Sequence, residues 1–265
     1  MKKNKFFLTV IKIFMKNQMQ NKTYILLDSF NMVSRCLVLL FLYDYVFKVN
    51  GGDINGISYE TTLWSMFIYF CLMTLKLRNT FLLIMNDVKS GNVEVFINKP
   101  VSYIYLSFYK AIGQGLYSFI VISALGSVAM AIFVGLPILN LAIFIPTFII
   151  TMILGQILCL FLYSLVGVLA FFMQDVRPVY WIVDKFVMIL GGSYLPIAMF
   201  PKFMKDLAYI SPFGAINFAS STVYESWNNE FLVRILMQIG WVIIFGFLLS
   251  YAFSKAKKKA MINGG

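Results

Sequence analysis

The chain has 265 residues, 60% of them hydrophobic, and carries 22 Lys and Arg against 11 Asp and Glu. Its mean hydropathy is +0.82. A helix crossing the roughly 30 Å hydrocarbon core needs about 20 apolar residues, so most of the chain is committed to membrane spans and little is left for a soluble catalytic domain. Histidine is absent, which excludes His-dependent catalysis within this chain. The net charge of +11 is spread over several short patches, which reads as membrane topology and attraction to anionic lipid, not as a nucleic-acid interface.

In chain order, residues 1–22 predict an amphipathic helix. At about 100° per residue, Lys5, Lys12 and Lys16 share one face, and Phe7, Val10, Ile11 and Phe14 share the opposite one. Such a helix lies in a membrane interface. Lys12 interrupts the apolar run and no small-residue cleavage site follows, so the segment does not read as a cleavable signal. Six apolar stretches follow, at 24–47, 61–83, 111–134, 139–172, 181–200 and 231–253. The fourth is too long for one perpendicular crossing and is expected to tilt, project or break near Pro146 or Gly155. An even number of spans puts the basic N-terminus, Lys76, Arg78, Lys89, Lys99, Lys110, Arg177 and Lys255–Lys259 on one side, and the positive-inside rule makes that side cytoplasmic.

Two connections are more than loops. The stretch 84–108, between the second and third spans, holds Ser90-Gly91-Asn92, a start for a short helix with Glu94 near its positive end. Val93, Phe96 and Ile97 give that helix an apolar face, and Pro100 ends it. A helix of this kind either docks into a groove on another protein or lies on lipid. The second connection, 199–230, is too apolar for a free loop and too short for two spans. Two short helices split at Ser211-Pro212 fit it, dipping into the outer leaflet as a re-entrant segment that needs protein or a water-filled cavity over it. Just before it, Gly191, Gly192, Ser193 and Pro196 interrupt the fifth span and suit a hinge or close helix packing.

Within the spans, Asp28 and Arg35 fall on one face, whereas the adjacent Asp184 and Lys185 diverge and need other partners. Cys36, Cys71 and Cys159 all sit in spans with no metal-ligand spacing, so neither a disulfide framework nor a zinc site is expected. The chain contains no G-x-x-x-x-G-K-[ST] loop, no G-x-S-x-G and no H-E-x-x-H. It is expected to be neither an ATPase nor a hydrolase.

The order of a basic amphipathic helix, six spans, the S-G-N-V-E-V-F-I-N-K-P stretch and a Pro-Phe-Gly segment before the last span resembles the ABC-2 type permeases, the membrane subunits of ATP-binding-cassette exporters. Ser90-Gly91 and Lys99-Pro100-Val101 match the pattern of the family's second-to-third loop. Gly191-Gly192, Pro196, Phe200-Pro201 and Pro212-Phe213 match its glycine-rich fifth span and the segment after it. The resemblance covers nearly the whole chain and rests on order and spacing. It implies an all-α polytopic membrane protein of six transmembrane helices, with an N-terminal interfacial helix (1–22) and a transmembrane domain over 23–265.

It also implies a coupling helix contacting an ATPase through Ser90, Gly91, Asn92, Val93, Glu94, Phe96, Ile97, Lys99 and Pro100. An external gate would be formed by Pro196, Phe200, Pro201, Pro212, Phe213 and Gly214, with Gly191 and Gly192 as hinge or packing positions. The implied partners are a cytosolic ABC ATPase dimer that binds ATP and Mg, a second permease (identical or paralogous) and the lipid bilayer of the plasma membrane. Both termini would be cytoplasmic, and this chain would hold no cofactor or metal of its own. With 27 Phe and 15 Met, a cavity suits a hydrophobic or amphipathic substrate such as a lipid, glycolipid, drug or peptide. The alternatives are a non-transporting membrane scaffold or immunity protein, and a gradient-driven secondary transporter.

Overall fold

A computed structural model describes residues 2–54, 56–97, 102–137 and 139–263. Among these residues the elements are all helical, apart from one isolated bridge between Ile54 and Ile57. The order is α1 (Lys2–Gln20), α2 (Lys22–Val49), α3 (Tyr59–Met73), α4 (Thr80–Lys89), α5 (Asn92–Ile97) and α6 (Tyr103–Phe133). Then come α7 (Leu141–Val168), α8 (Arg177–Leu190), α9 (Lys202–Ile210), α10 (Pro212–Ala215) and α11 (Trp227–Asn263). Five stretches are long and apolar enough to cross a membrane: Ile25–Val49, Tyr59–Lys89, Tyr103–Phe133, Leu141–Phe171 and Trp227–Lys258.

The fifth predicted span, 181–200, is not among them. Its helix α8 has 14 residues, about 21 Å at 1.5 Å per residue, and ends at Gly191, after which Gly192 takes φ +85°. The chain nevertheless travels on. Val176 and Val183 pack with Phe81 and Val166 near the end of α7. The Tyr43 hydroxyl, towards the far end of α2, reaches the Tyr194 carbonyl at 3.4 Å.

α7 is the axis of the bundle, packed against α11, α4 and a 3-10 segment, Phe218–Val223. Of the three outcomes open for this long stretch, the break at Pro146 or Gly155 does not occur. Pro146 lies in the second turn of a continuous helix, where Thr147 Oγ donates to the Ile143 carbonyl at 2.7 Å. Gly155 is a close-approach site: a Cβ there would strike the Ile216 carbonyl. Gln238, fully buried on α11, donates to the carbonyls of Thr151 (3.0 Å) and Ala215 (2.7 Å), tying α11 to α7 and α10.

α1 lies against α6. Its predicted apolar face is the one turned inward: Val10 is buried, and Phe7 stacks on Tyr109 with ring centroids 4.4 Å apart. Lys5, Lys12 and Lys16 are exposed. Close approach is possible because Gly113 of α6 faces Ile11 and Phe14, where any side chain would collide. α2 is the least embedded span. Leu26, Phe30, Val38, Phe41 and Tyr45 on it are all exposed, a surface suited to lipid or to another membrane helix.

Candidate functional site

The second span is broken, and the break carries charge. After α3 the chain turns at Lys76, the one non-glycine residue with positive φ (56°) among the described residues, then makes a 3-10 turn, Leu77–Asn79, before α4 begins. Fifteen residues of α3 rise about 22 Å, short of the roughly 30 Å core, so α3 alone does not make the crossing and the break lies inside the 31-residue apolar stretch Tyr59–Lys89. Gly115 of α6 allows it: a Cβ there would overlap the Leu75 backbone.

Both basic residues of the break are paired across the bundle. Lys76 Nζ lies 2.7 Å from Asp28 Oδ2 on α2. The same oxygen accepts from Ser118 Oγ on α6 at 2.8 Å, and that hydroxyl accepts from Gln18 Nε2 on α1 at 2.7 Å. Arg78 Nη1 lies 2.8 Å from Asp184 Oδ1 on α8, their side chains only 12% and 8% exposed. Arg78 Nη2 also donates to the Tyr69 hydroxyl at 3.1 Å, and the Tyr163 hydroxyl donates to Asp184 Oδ1 at 2.7 Å. Tyr69 and Tyr163 are fully buried. A charge taken this far from water is kept only when it is paired and hydrogen-bonded. The two networks therefore lock α1, α2, α6, α7 and α8 onto the broken span.

Lys76 and Arg78, read from the sequence as topology markers in or beside the second-to-third connection, are thus also structural, each paired with an aspartate of another helix. Arg78 supplies the partner that Asp184 needed. Asp28 pairs with Lys76 instead of Arg35, which sits 5.2 Å over the Phe70 ring. Lys185 is exposed.

The 84–108 loop lies at the end of the bundle that holds the termini. Ser90 closes α4, and Gly91, at φ +72°, turns the chain into α5. Of the predicted contact residues, Ser90, Gly91, Asn92 and Glu94 are exposed. Val93 is buried in the main core, and Phe96 packs beside Tyr103 with centroids 6.2 Å apart, under Lys110 at 5.4 Å. Val93 and Phe96 of the apolar face of α5 are thus spent on its own bundle. Its outward surface is Glu94 with Val95, which is 57% exposed. Tyr103 donates to Asp87 at 3.0 Å and stacks on Phe253 of α11 at 6.0 Å, so the loop is anchored on three helices. Lys99, Pro100 and the side chain of Ile97 lie outside the described residues.

At the opposite end, four connections surround an open cavity of about 1520 Å³. Ser58 and Glu60 line it from the start of α3, Pro137 and Asn140 from before α7, Phe200, Lys202 and Lys205 from around α9, Thr222 to Ser226 from before α11, and Asn228 and Asn229 from its first turn. Pro196 and Phe200 are buried, whereas Pro201 is exposed. Ser211 separates α9 from α10, and its Oγ caps α10 by accepting from the Gly214 N–H at 3.1 Å. Phe213 stacks on Phe186 of α8 at 5.5 Å. Gly214 must be glycine because the Ala208 carbonyl sits where its Cβ would go, and Gly191 meets Asn217 in the same way. All six residues of Phe218–Val223 are buried, and the segment packs against α3 and α7, so protein covers this irregular backbone. Arg234 lies 3.6 Å over the Tyr209 ring.

Sequence reasoning missed the two charge networks and Gln238. A Lys and an Arg next to an apolar run look like the end of a span, and neither Pro nor Gly marks the break. Gln238, a lone amide in the last span, did carry a signal.

Residues 32–264 match the family described as ABC-2 family transporter protein, and the chain belongs to that family. A comparison with curated proteins gives no match. The helices described above are those of a multi-pass transporter membrane subunit.

Proposed function

We propose that the chain is the permease subunit of an ABC exporter. It forms the translocation path for a hydrophobic or amphipathic substrate (lipid, glycolipid, drug or peptide), and ATP is hydrolysed with Mg on a separate cytosolic ATPase dimer. The subunit pairs with a second permease in the plasma membrane, both termini in the cytoplasm. In this reading α8 and the segment running on to Phe200 make a sixth, interrupted crossing, since the loops before α3, before α7 and after α8 line one cavity.

The observation that carries the reading is mechanical continuity. Glu94 and Val95 face outward on a helix whose other face is anchored in the bundle. From α5 the chain leads back through α4, ten residues long, directly to the Arg78–Asp184 pair. α8, which holds Asp184, ends at the Gly191-Gly192 turn, from which the chain runs on to Ala198 and Phe200 in the wall of the opposite cavity. Displacement of α5 by a closing ATPase dimer shifts α4, and α4 pulls on α8 through an ion pair that is almost out of water. Packed elements of this kind move between discrete arrangements. Pro196, Phe200 and the α9–α10 segment then act as the exit gate, with Gly191 and Gly192 as its hinge.

The test is affinity purification of the tagged chain in mild detergent, with mass spectrometry of what accompanies it. A P-loop ATPase recovered in stoichiometric amount is the expected result, and a second, different permease in the same preparation would fix the pairing. Recovery of the chain alone across several detergents would overturn the reading.

A further inference from the structure

The cavity opposite the termini is charged in a way that names a ligand. Lys202 and Lys205 enter it from α9, Glu60 from the first turn of α3, and Glu225 from the turn before α11. None of these four joins the ion pairs of the described residues. Lys205 only leans over the Tyr209 ring, at 6.0 Å. Asn140 and Asn228 add neutral hydrogen-bonding groups to the wall. Two ammonium groups and two carboxylates that share a cavity without pairing suit a ligand that carries both signs.

α9 supplies the second observation. Phe203, Leu207 and Ile210 recur at helical spacing and are 78%, 46% and 57% exposed. This stripe points away from the lysine face of the same helix. One nine-residue element therefore presents cations to the cavity and an exposed apolar surface on its other side. A water-soluble zwitterion would use the first face and have no use for the second.

We propose that this cavity binds the head of a zwitterionic phospholipid whose ammonium group can donate hydrogen bonds, a phosphoethanolamine head, with an acyl chain laid along Phe203, Leu207 and Ile210. The phosphate accepts from Lys202 and Lys205 as a charge-assisted contact, and the primary ammonium donates to Glu60 and Glu225. This deepens the exporter reading by naming a cargo class at the exit side. The binding test needs no ATPase, so its failure and the failure of that reading are separable.

The experiment is native mass spectrometry of the full chain, purified with whatever accompanies it, and offered dioctanoyl phosphatidylethanolamine, phosphatidylglycerol, phosphatidylcholine or free phosphoethanolamine. Retention of phosphatidylethanolamine exceeds that of the other two lipids about tenfold. Lys202→Gln with Lys205→Gln lowers retention of phosphatidylethanolamine and phosphatidylglycerol alike, again by about tenfold. Glu60→Gln with Glu225→Gln removes the preference for phosphatidylethanolamine and leaves phosphatidylglycerol unchanged, a selective effect that misfolding cannot imitate. Equal retention of the three lipids, or retention indifferent to all four substitutions, would overturn the proposal. Displacement of the lipid by free phosphoethanolamine at the same concentration would overturn its lipid part, because the apolar stripe would then contribute nothing.

Discussion

Replacing Arg78 by Met tests whether the broken span is held by its charges. The substitution keeps much of the apolar stem and removes the guanidinium. It leaves the Asp184 carboxylate, 8% exposed, with the Tyr163 hydroxyl as its remaining hydrogen-bond partner among the described residues. Two unit charges about 4 Å apart at an effective dielectric constant near 20 interact by about 4 kcal/mol. Breaking a buried pair from one side costs about 3–5 kcal/mol in measured cases, so the two figures agree. Arg78→Met with Asp184→Leu removes both charges and is expected to recover most of that loss, since a well-packed apolar pair is often neutral or better. The assay is reversible denaturation of the purified protein in one detergent, with the two single variants and the double variant forming a cycle. A coupling energy of about 2 kcal/mol or more between positions 78 and 184 is expected. If Arg78→Met costs less than about 1 kcal/mol, or the two single losses simply add, the pair does not hold the break and the argument fails.

Two glycines chosen for contrast give a second prediction. Gly115→Ala pushes against the Leu75 backbone and lowers thermal stability. Gly240→Ala meets nothing within 4 Å and raises stability by up to about 1 kcal/mol through helix propensity alone; equal shifts in melting temperature would contradict the packing at the break. Gln238→Leu strips two hydrogen bonds from the α7–α10–α11 junction and is expected to destabilise by about 1–3 kcal/mol in denaturant titration, with no change signifying that water or a rearranged amide already serves those carbonyls.

The apolar spans were legible because hydropathy is additive along a chain, so α2, α6, α7 and α11 follow from composition. So did the inward face of α1, since Phe7, Val10, Ile11 and Phe14 differ from the lysines by half a turn. The break at Lys76 was not legible. It depends on Gly115, Asp28 and Asp184, which are distant in sequence and meet only in the fold. The interrupted fifth stretch showed its Gly191-Gly192 signal, but hydropathy alone cannot tell a full span from a 14-residue helix that turns. At α5 the sequence displayed an apolar face without saying what covers it. Val93 and Phe96 are covered by the chain's own α6 and α11, which leaves Glu94 and Val95 as the outward pair.

That pair offers the most direct test of the account. A photo-reactive amino acid placed at position 94, and in a separate variant at position 203 on the opposite end, is irradiated in membranes and the adducts are identified. The account predicts a P-loop ATPase crosslinked from position 94 and only lipid or permease adducts from position 203. An ATPase adduct from position 203, or none from position 94 while the ATPase still copurifies, would contradict it.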